Sequence, residues 1–172
     1  MNGILICTFA AFLVYLFYNS AALSLFGVPE SLSNTFYLFK ERKHWQRLLF
    51  PIMMVFMAFT LMPAWLEMSE GSNFQFLAFL AAGGIMFTGA APAFKDDTLE
   101  NKVHTGSAIA AAICSLLWII LVAKLWYFII LWFIIISFCA VFTNSYKNAY
   151  VYWLETVAFM STYTAIIAHY LG

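Results

Sequence analysis

Residues 4–26 read ILICTFAAFLVYLFYNSAALSLF, an unbroken stretch with no Asp, Glu, Lys, Arg or His. About 20 mainly apolar residues in a helix cross the hydrocarbon of a bilayer, so this stretch predicts a membrane span. Moving outward, five more stretches of that kind follow: Leu48–Leu66, Phe74–Phe94, Val103–Val122, Leu125–Thr143 and Val151–Leu171. Lipid-exposed barrel strands would alternate polar and apolar residues, and these stretches do not. The sequence therefore predicts an all-α fold, a polytopic transmembrane bundle of six helices forming a single domain over residues 1–172.

Composition agrees. Hydrophobic residues make up 65% of the 172 positions and charged residues 9%, against roughly a half and a quarter in soluble domains. So few charges cannot cover a water-facing surface of this size. Formal net charge is zero, which leaves no basic field to attract nucleic acid. Cys7, Cys114 and Cys139 all fall in apolar runs, where a thiol acts as a small hydrophobe. Ser20, Ala21 and Ala22 offer small residues after the first apolar run, but Met1-Asn2-Gly3 supplies no basic n-region, so the run is expected to be retained as a span.

Cytoplasmic loops keep Lys and Arg, so the basic residues set the orientation. With six spans and the N-terminus outside, Lys40, Arg42, Lys43, Arg47, Lys95, Lys102 and Lys147 face the cytoplasm and only Lys124 faces out. The expected layout is a multi-pass protein of the cell or inner membrane with both termini on the non-cytoplasmic side. Trp45, Trp65, Trp126 and Trp153 fall near the predicted span ends, where interfacial tryptophans belong.

The first loop is long. Leu32, Phe36 and Phe39 recur at helical spacing behind Pro29, and the segment ends in Lys40-Glu41-Arg42-Lys43. Two readings stand. One is a short interfacial helix with Lys40, Arg42, Lys43 and Arg47 among anionic lipid headgroups; the other is an ordered loop packed under the bundle.

The third span carries Ala81, Ala82, Gly83, Gly84, Gly89, Ala90 and Ala91. The fourth aligns Gly106 with Ala110 and, one face over, Ser107, Ala111 and Ser115. Small residues let helix backbones approach closely in lipid, so these two spans are expected to form the tight centre. The fifth is Ile, Phe and Trp nearly all round and is expected to face lipid. Pro51 and Pro63 are expected to cap the ends of the second.

An ionisable group inside a span is a functional candidate by default. Glu155 is the clear case, and Glu155, Ala158, Thr162, Ala165 and His169 are spaced so that one face of the last span is small or polar throughout. That face, with Glu155, Thr162 and His169 as its polar members, reads either as a solvated path or as an interior packing face with Glu155 reaching Lys147 or water. A second cluster gathers at the predicted cytoplasmic ends: Tyr18, Asn19, Asp96, Asp97, Glu100, His104 and Glu155. Carboxylates around a histidine can bind a cation or act as acid and base; the plainer alternative is a solvated loop, Lys95 to Lys102, marking the membrane boundary. His44, His104 and His169 cannot form one zinc site in this topology, and no facing pair suits haem. No phosphate-cradling loop, nucleophile elbow or CxxC is present, so no cofactor or metal is expected.

Gly89-Ala90-Ala91-Pro92, an acidic loop, and then Val103-His104-Thr105-Gly106-Ser107-Ala108 opening a span resemble the pattern of small multi-span proteins of the DUF998 and Frag1/DRAM-like groups. The resemblance covers about twenty residues. It implies a six-helix bundle with His104 at a polar cytoplasmic mouth and brings no reaction with it.

Two functions are expected from these features. The first, favoured by the sparse interior charge, is a non-catalytic scaffold or subunit binding membrane lipids, other membrane subunits or a second copy of itself. The second is a carrier or lipid-modifying protein using a pocket around Glu155, His104 and Asp96/Asp97. A closed small-residue core supports the first, and a cavity lined by Glu155 and Asn19 supports the second.

Overall fold

The computed structural model describes residues 3–172; Met1 and Asn2, part of the leader argument, lie outside the described residues. Seven α-helices and no strand occur among those residues: α1 (Gly3–Phe26), α2 (Thr35–Arg42), α3 (Leu49–Met68), α4 (Phe76–Ala90), α5 (Thr98–Trp118), α6 (Tyr127–Phe142) and α7 (Tyr150–Leu171). A 3₁₀ turn, His44–Leu48, leads into α3, and a π turn, Ile119–Ala123, ends α5. Three helical stretches are long and apolar enough to cross a membrane: Gly3–Phe26, His44–Met68 and Thr98–Ala123. The helices α4 and α6 are apolar but shorter, and α7 has the length but carries Glu155 and a series of hydroxyl side chains.

The most extensive interface joins α4 to α5, followed by α3 to α4. A Cβ added to Gly84 would come within 2.7 Å of the Ser107 carbonyl oxygen and 2.9 Å of Ala111 N. One added to Gly89 would meet Met54 Cβ at 2.8 Å. The small-residue pairing expected of these helices is present, and on α5 it uses the Ser107, Ala111 and Ser115 face, since nothing approaches a Cβ at Gly106. Backbone contact of this kind replaces the hydrophobic drive that lipid removes.

Around this pair, α1 packs on α3 and α7, and α6 packs on α7. Phe133, Ile134, Phe138, Val141 and Phe142 of α6 are exposed, while only Ile136 and Ala140 are buried. That matches the outward-facing role expected of this segment.

Several details differ from expectation. Pro63 lies inside α3, which runs on to Met68; Pro51 does sit in its first turn, where no intrahelical N–H is needed. Trp65 is not interfacial but 0% exposed, edge-on to Trp118 at 6.3 Å. The Trp118 indole donates to Ser69 Oγ at 2.8 Å, and Ser69 donates to the Trp65 carbonyl, so this buried group is fully used. Trp45 and Trp126 are exposed, and Trp153 donates to Ser145.

Candidate functional site

The segment after α1 folds back beneath the bundle. Gly27 turns the chain with φ +72°, and Leu32, Phe36 and Phe39 are all buried. Of the two readings of this loop, the packed one describes its apolar face, while Arg42 and Lys43 at its basic end are exposed and Arg47 is half-buried. Polar side chains stitch it in place. Tyr18 OH bonds Thr35 Oγ1. Lys95 Nζ donates to Asn34 Oδ1 at 2.7 Å and pairs with Glu30 at 3.3 Å. Tyr37 OH accepts from Lys95 N at 2.7 Å, and burial raises the Tyr37 phenol above its usual pKa. Lys40 pairs with Asp96 at 3.4 Å.

Glu155 fixes the centre of this floor. Its Oε2 accepts the Leu32 backbone N–H at 2.6 Å, and one turn earlier on α7, Tyr152 N donates to the Glu30 carbonyl at 3.2 Å. Lys147 does not reach Glu155; its ammonium lies over the Tyr146 ring. No Lys, Arg or His forms an ion pair with Glu155, and its Oε1 has no hydrogen bond, among the described residues.

Above the floor lies a cavity of about 50 Å³ between α3, α4, α5 and α7, lined at the α2 end by Leu32, Phe50, Thr88 and Glu155 and farther along by Thr162, Ser115 and Trp65. On α5 the lining runs from Ala108 to Ser115 and on α7 from Glu155 to Thr162, about two turns of helix in each case. Most of its wall is alkyl and aromatic. Its hydroxyls use their protons within their own helices: Thr88 donates to Gly84 O, Ser115 to Ala112 O and Thr162 to Ala158 O. Thr88 Oγ1 also lies 3.1 Å from Ser107 Oγ, so its oxygen is shared across the α4–α5 seam. The Trp65 N–H is buried without a partner.

Of the other candidates, only Thr162 joins Glu155 in the cavity wall. His104 is buried, with Nδ1 at 3.1 Å from the Thr88 carbonyl oxygen and 3.0 Å from that of Ala91. Two carbonyls can only accept, so Nδ1 carries the proton and the ring caps the last turn of α4. Phe94 stacks on it at 4.4 Å. Asp97 is the N-cap of α5, accepting from Leu99 N and Glu100 N at 2.8 and 2.9 Å. Glu100 accepts from Ala93 N. Asn19 donates to Tyr15 O and accepts from Tyr152 OH at 3.2 Å; it does not line the cavity. Along α7, Thr162 is buried and His169 is exposed at the far end. Leu32, Thr88, Ser115 and Trp65 were absent from the sequence-based candidates. Thr88 and Ser115 do carry a signal, as hydroxyl residues within the two small-residue helices.

Compared with protein-family models, curated proteins and solved structures, the chain matches none.

Proposed function

We propose that the protein crosses the membrane six times, with both termini on the non-cytoplasmic side, and binds a small amphipathic molecule inside the bundle, as a carrier or lipid-modifying protein does. The observation that carries this reading is the mostly apolar cavity between α3, α4, α5 and α7 with Glu155 in its wall. Glu155 holds the Leu32 amide through Oε2, and its second oxygen, without a counter-charge beside an apolar cavity, is costly in hydrocarbon unless it too finds a partner. His104, Asp96 and Asp97 serve it by building the α2 end of the bundle.

The layout draws support from charge. Lys40, Arg42, Lys43, Arg47, Lys95, Lys102 and Lys147 belong to the end that carries α2, and Lys124 to the opposite one; the positive-inside rule then assigns the α2 end to the cytoplasm. On this layout α4 and α6 cross as short helices, with flanking residues and local thinning of the bilayer making up the length. Exposed Arg42, Lys43 and Trp45 meet the inner headgroups. A scaffold role would rest on the outward face of α6, which lipid covers equally well.

Two measurements test the proposal. Protein purified from native membranes is extracted and its bound small molecules identified by mass spectrometry, beside the Ala112→Phe variant, whose ring fills the cavity. An amphiphile near one per chain, lost in the variant, is expected; equal recovery from both, or none from either, refutes the binding role. Reporter tags at both ends should report a non-cytoplasmic location, and a cytoplasmic signal from either overturns the six-span layout.

A further inference from the structure

We infer that a second site, a groove between α6 and α7 that opens to the bilayer, holds one anionic glycerophospholipid, with its phosphate at Lys147, an ester carbonyl on Ser137 and the start of one acyl chain along the groove. The site is separate from the Glu155 cavity and does not depend on what that cavity binds.

The shape suits part of a lipid chain. Ile136 and Ala140 of α6 and Val157 of α7 form a buried floor, and Phe133 and Leu154, both more than half exposed, form the rims. The groove has a volume of about 180 Å³ and runs from Ala140 to Phe133 on α6 and from Tyr150 to Val157 on α7, about two turns of helix. Because one side is open, the rest of the lipid stays in the bilayer and only the upper part of one chain has to fit. Tyr146 of the α6–α7 loop and Tyr150 of the first turn of α7 bound the end nearest that loop.

Polar groups select the head. Lys147 is the only charged side chain between Leu125 and Leu154. It forms no ion pair among the described residues, and its ammonium lies 5.7 Å from the centre of the Tyr146 ring at the mouth of the groove. Ser137 marks a second depth. Thr143 at the end of α6 and Thr156 on α7 give their protons to carbonyls four residues back, which spares a hydroxyl the cost of standing unpaired in hydrocarbon. Ser137 lines the groove and has no hydrogen bond among the described residues. It lies five residues before Phe142, the last residue of α6, or about 7.5 Å inward along the helix, and the ester carbonyls of a phospholipid likewise lie inward of its phosphate. An ester offers acceptors only, as a free hydroxyl requires, and a phosphate offers acceptors and negative charge to Lys147. A zwitterionic head would set its own cation beside Lys147, whereas a phosphatidylglycerol head has none. A second copy of the chain docking by this same face would bring two Lys147 side chains and no acid to the seam.

Native mass spectrometry of the detergent-purified full-length protein tests this. Palmitoyl-oleoyl phosphatidylglycerol and palmitoyl-oleoyl phosphatidylcholine are supplied in equal amounts, with elution volume and melting temperature recorded as controls on folding. Wild type is expected to keep one lipid per chain and to prefer phosphatidylglycerol about fivefold, the equivalent of about 1 kcal/mol for one basic residue at an anionic head. Lys147→Gln should abolish the preference, whereas the triple variant Arg42→Gln/Lys43→Gln/Arg47→Gln, at the other basic patch, should keep it. Ser137→Phe fills the groove and should release the lipid; if that variant does not fold, Phe133→Ala with Leu154→Ala strips the exposed rims and should lower the fraction of lipid-bound chains. Ala112→Phe lies outside this groove and should leave the phospholipid in place, so the two sites are read separately. The inference is overturned if wild type keeps no lipid or shows no preference, if K147Q keeps the preference or the triple variant loses it, or if neither groove variant weakens retention. A lipid-free dimer that Ser137→Phe splits would overturn it too, by making the occupant a second copy.

Discussion

Adjacent glycines on α4 should respond to the same substitution with opposite signs. At Gly83 a methyl group meets nothing within 4 Å, whereas at Gly84 it would lie 2.7 Å from Ser107 O and 2.9 Å from both Ala111 N and Ala111 Cβ. Two of those three atoms are backbone, so no rotamer change can relieve the contact and the two helices must separate. In a helix interior, Gly→Ala alone stabilises by about 0.5–1 kcal/mol. Gly83→Ala should therefore be neutral or stabilising by about that amount. Overpacking typically costs about 1–3 kcal/mol, and the most extensive interface of the molecule loosens with it, so Gly84→Ala should fall below wild type by roughly 1–2 kcal/mol after the propensity gain. Reversible unfolding in mixed micelles, followed by far-UV circular dichroism, reads both variants on one scale. If Gly84→Ala proves as stable as Gly83→Ala, α4 and α5 do not meet as described.

Other perturbations test the polar contacts. His104→Ala removes the proton donor shared by the Thr88 and Ala91 carbonyls and should destabilise by about 2–3 kcal/mol, measured in the same unfolding assay; unchanged stability would dismiss the cap. Ser69→Ala leaves the buried Trp118 N–H unpaired at an expected cost of about 1–3 kcal/mol, with a shift in tryptophan emission as a second readout. Glu155→Leu should speed hydrogen exchange at the Leu32 amide well above that of Glu155→Gln, since only the glutamine keeps an acceptor there. Equal exchange in the two would mean the carboxylate does not hold the floor.

The helices were largely legible because hydrocarbon imposes a length on apolar runs. Ile4–Phe26 and Val151–Leu171 agree with α1 and α7 to within a residue at each end. Hydropathy fails where a helix leaves the apolar zone. The helix α5 starts at Thr98, five residues before Val103, because Asp97 caps it; the spacing Asp97-Thr98-Leu99-Glu100 is a capping-box signal that a scan for apolar residues cannot register. Likewise α4 stops at Ala90, ahead of Pro92, short of the predicted Phe94. The prominence of Glu155 followed from its being an isolated charge in a largely apolar run. Its partner did not, because the Leu32 amide is a backbone group with no sequence signature. His104 stood out for its chemistry, although the structure employs it on two carbonyls that any histidine-bearing pattern would leave invisible. Trp65 looked interfacial from its position alone, yet its side of α3 faces inward.

The hydrogen bond from the Leu32 amide to Glu155 joins residues 123 positions apart, and this has a bearing on biosynthesis. Chains emerge from the ribosome N-terminus first. The loop after α1 therefore leaves the ribosome long before its anchoring carboxyl exists; Phe39 can already pack on Tyr18 and Phe26 of α1, but the Leu32 amide must wait for the last helix. Truncation between residues 102 and 155 leaves the bonds from Tyr18 and Lys95 available but removes the one at Leu32, so the floor of the bundle is completed only by a full-length last helix.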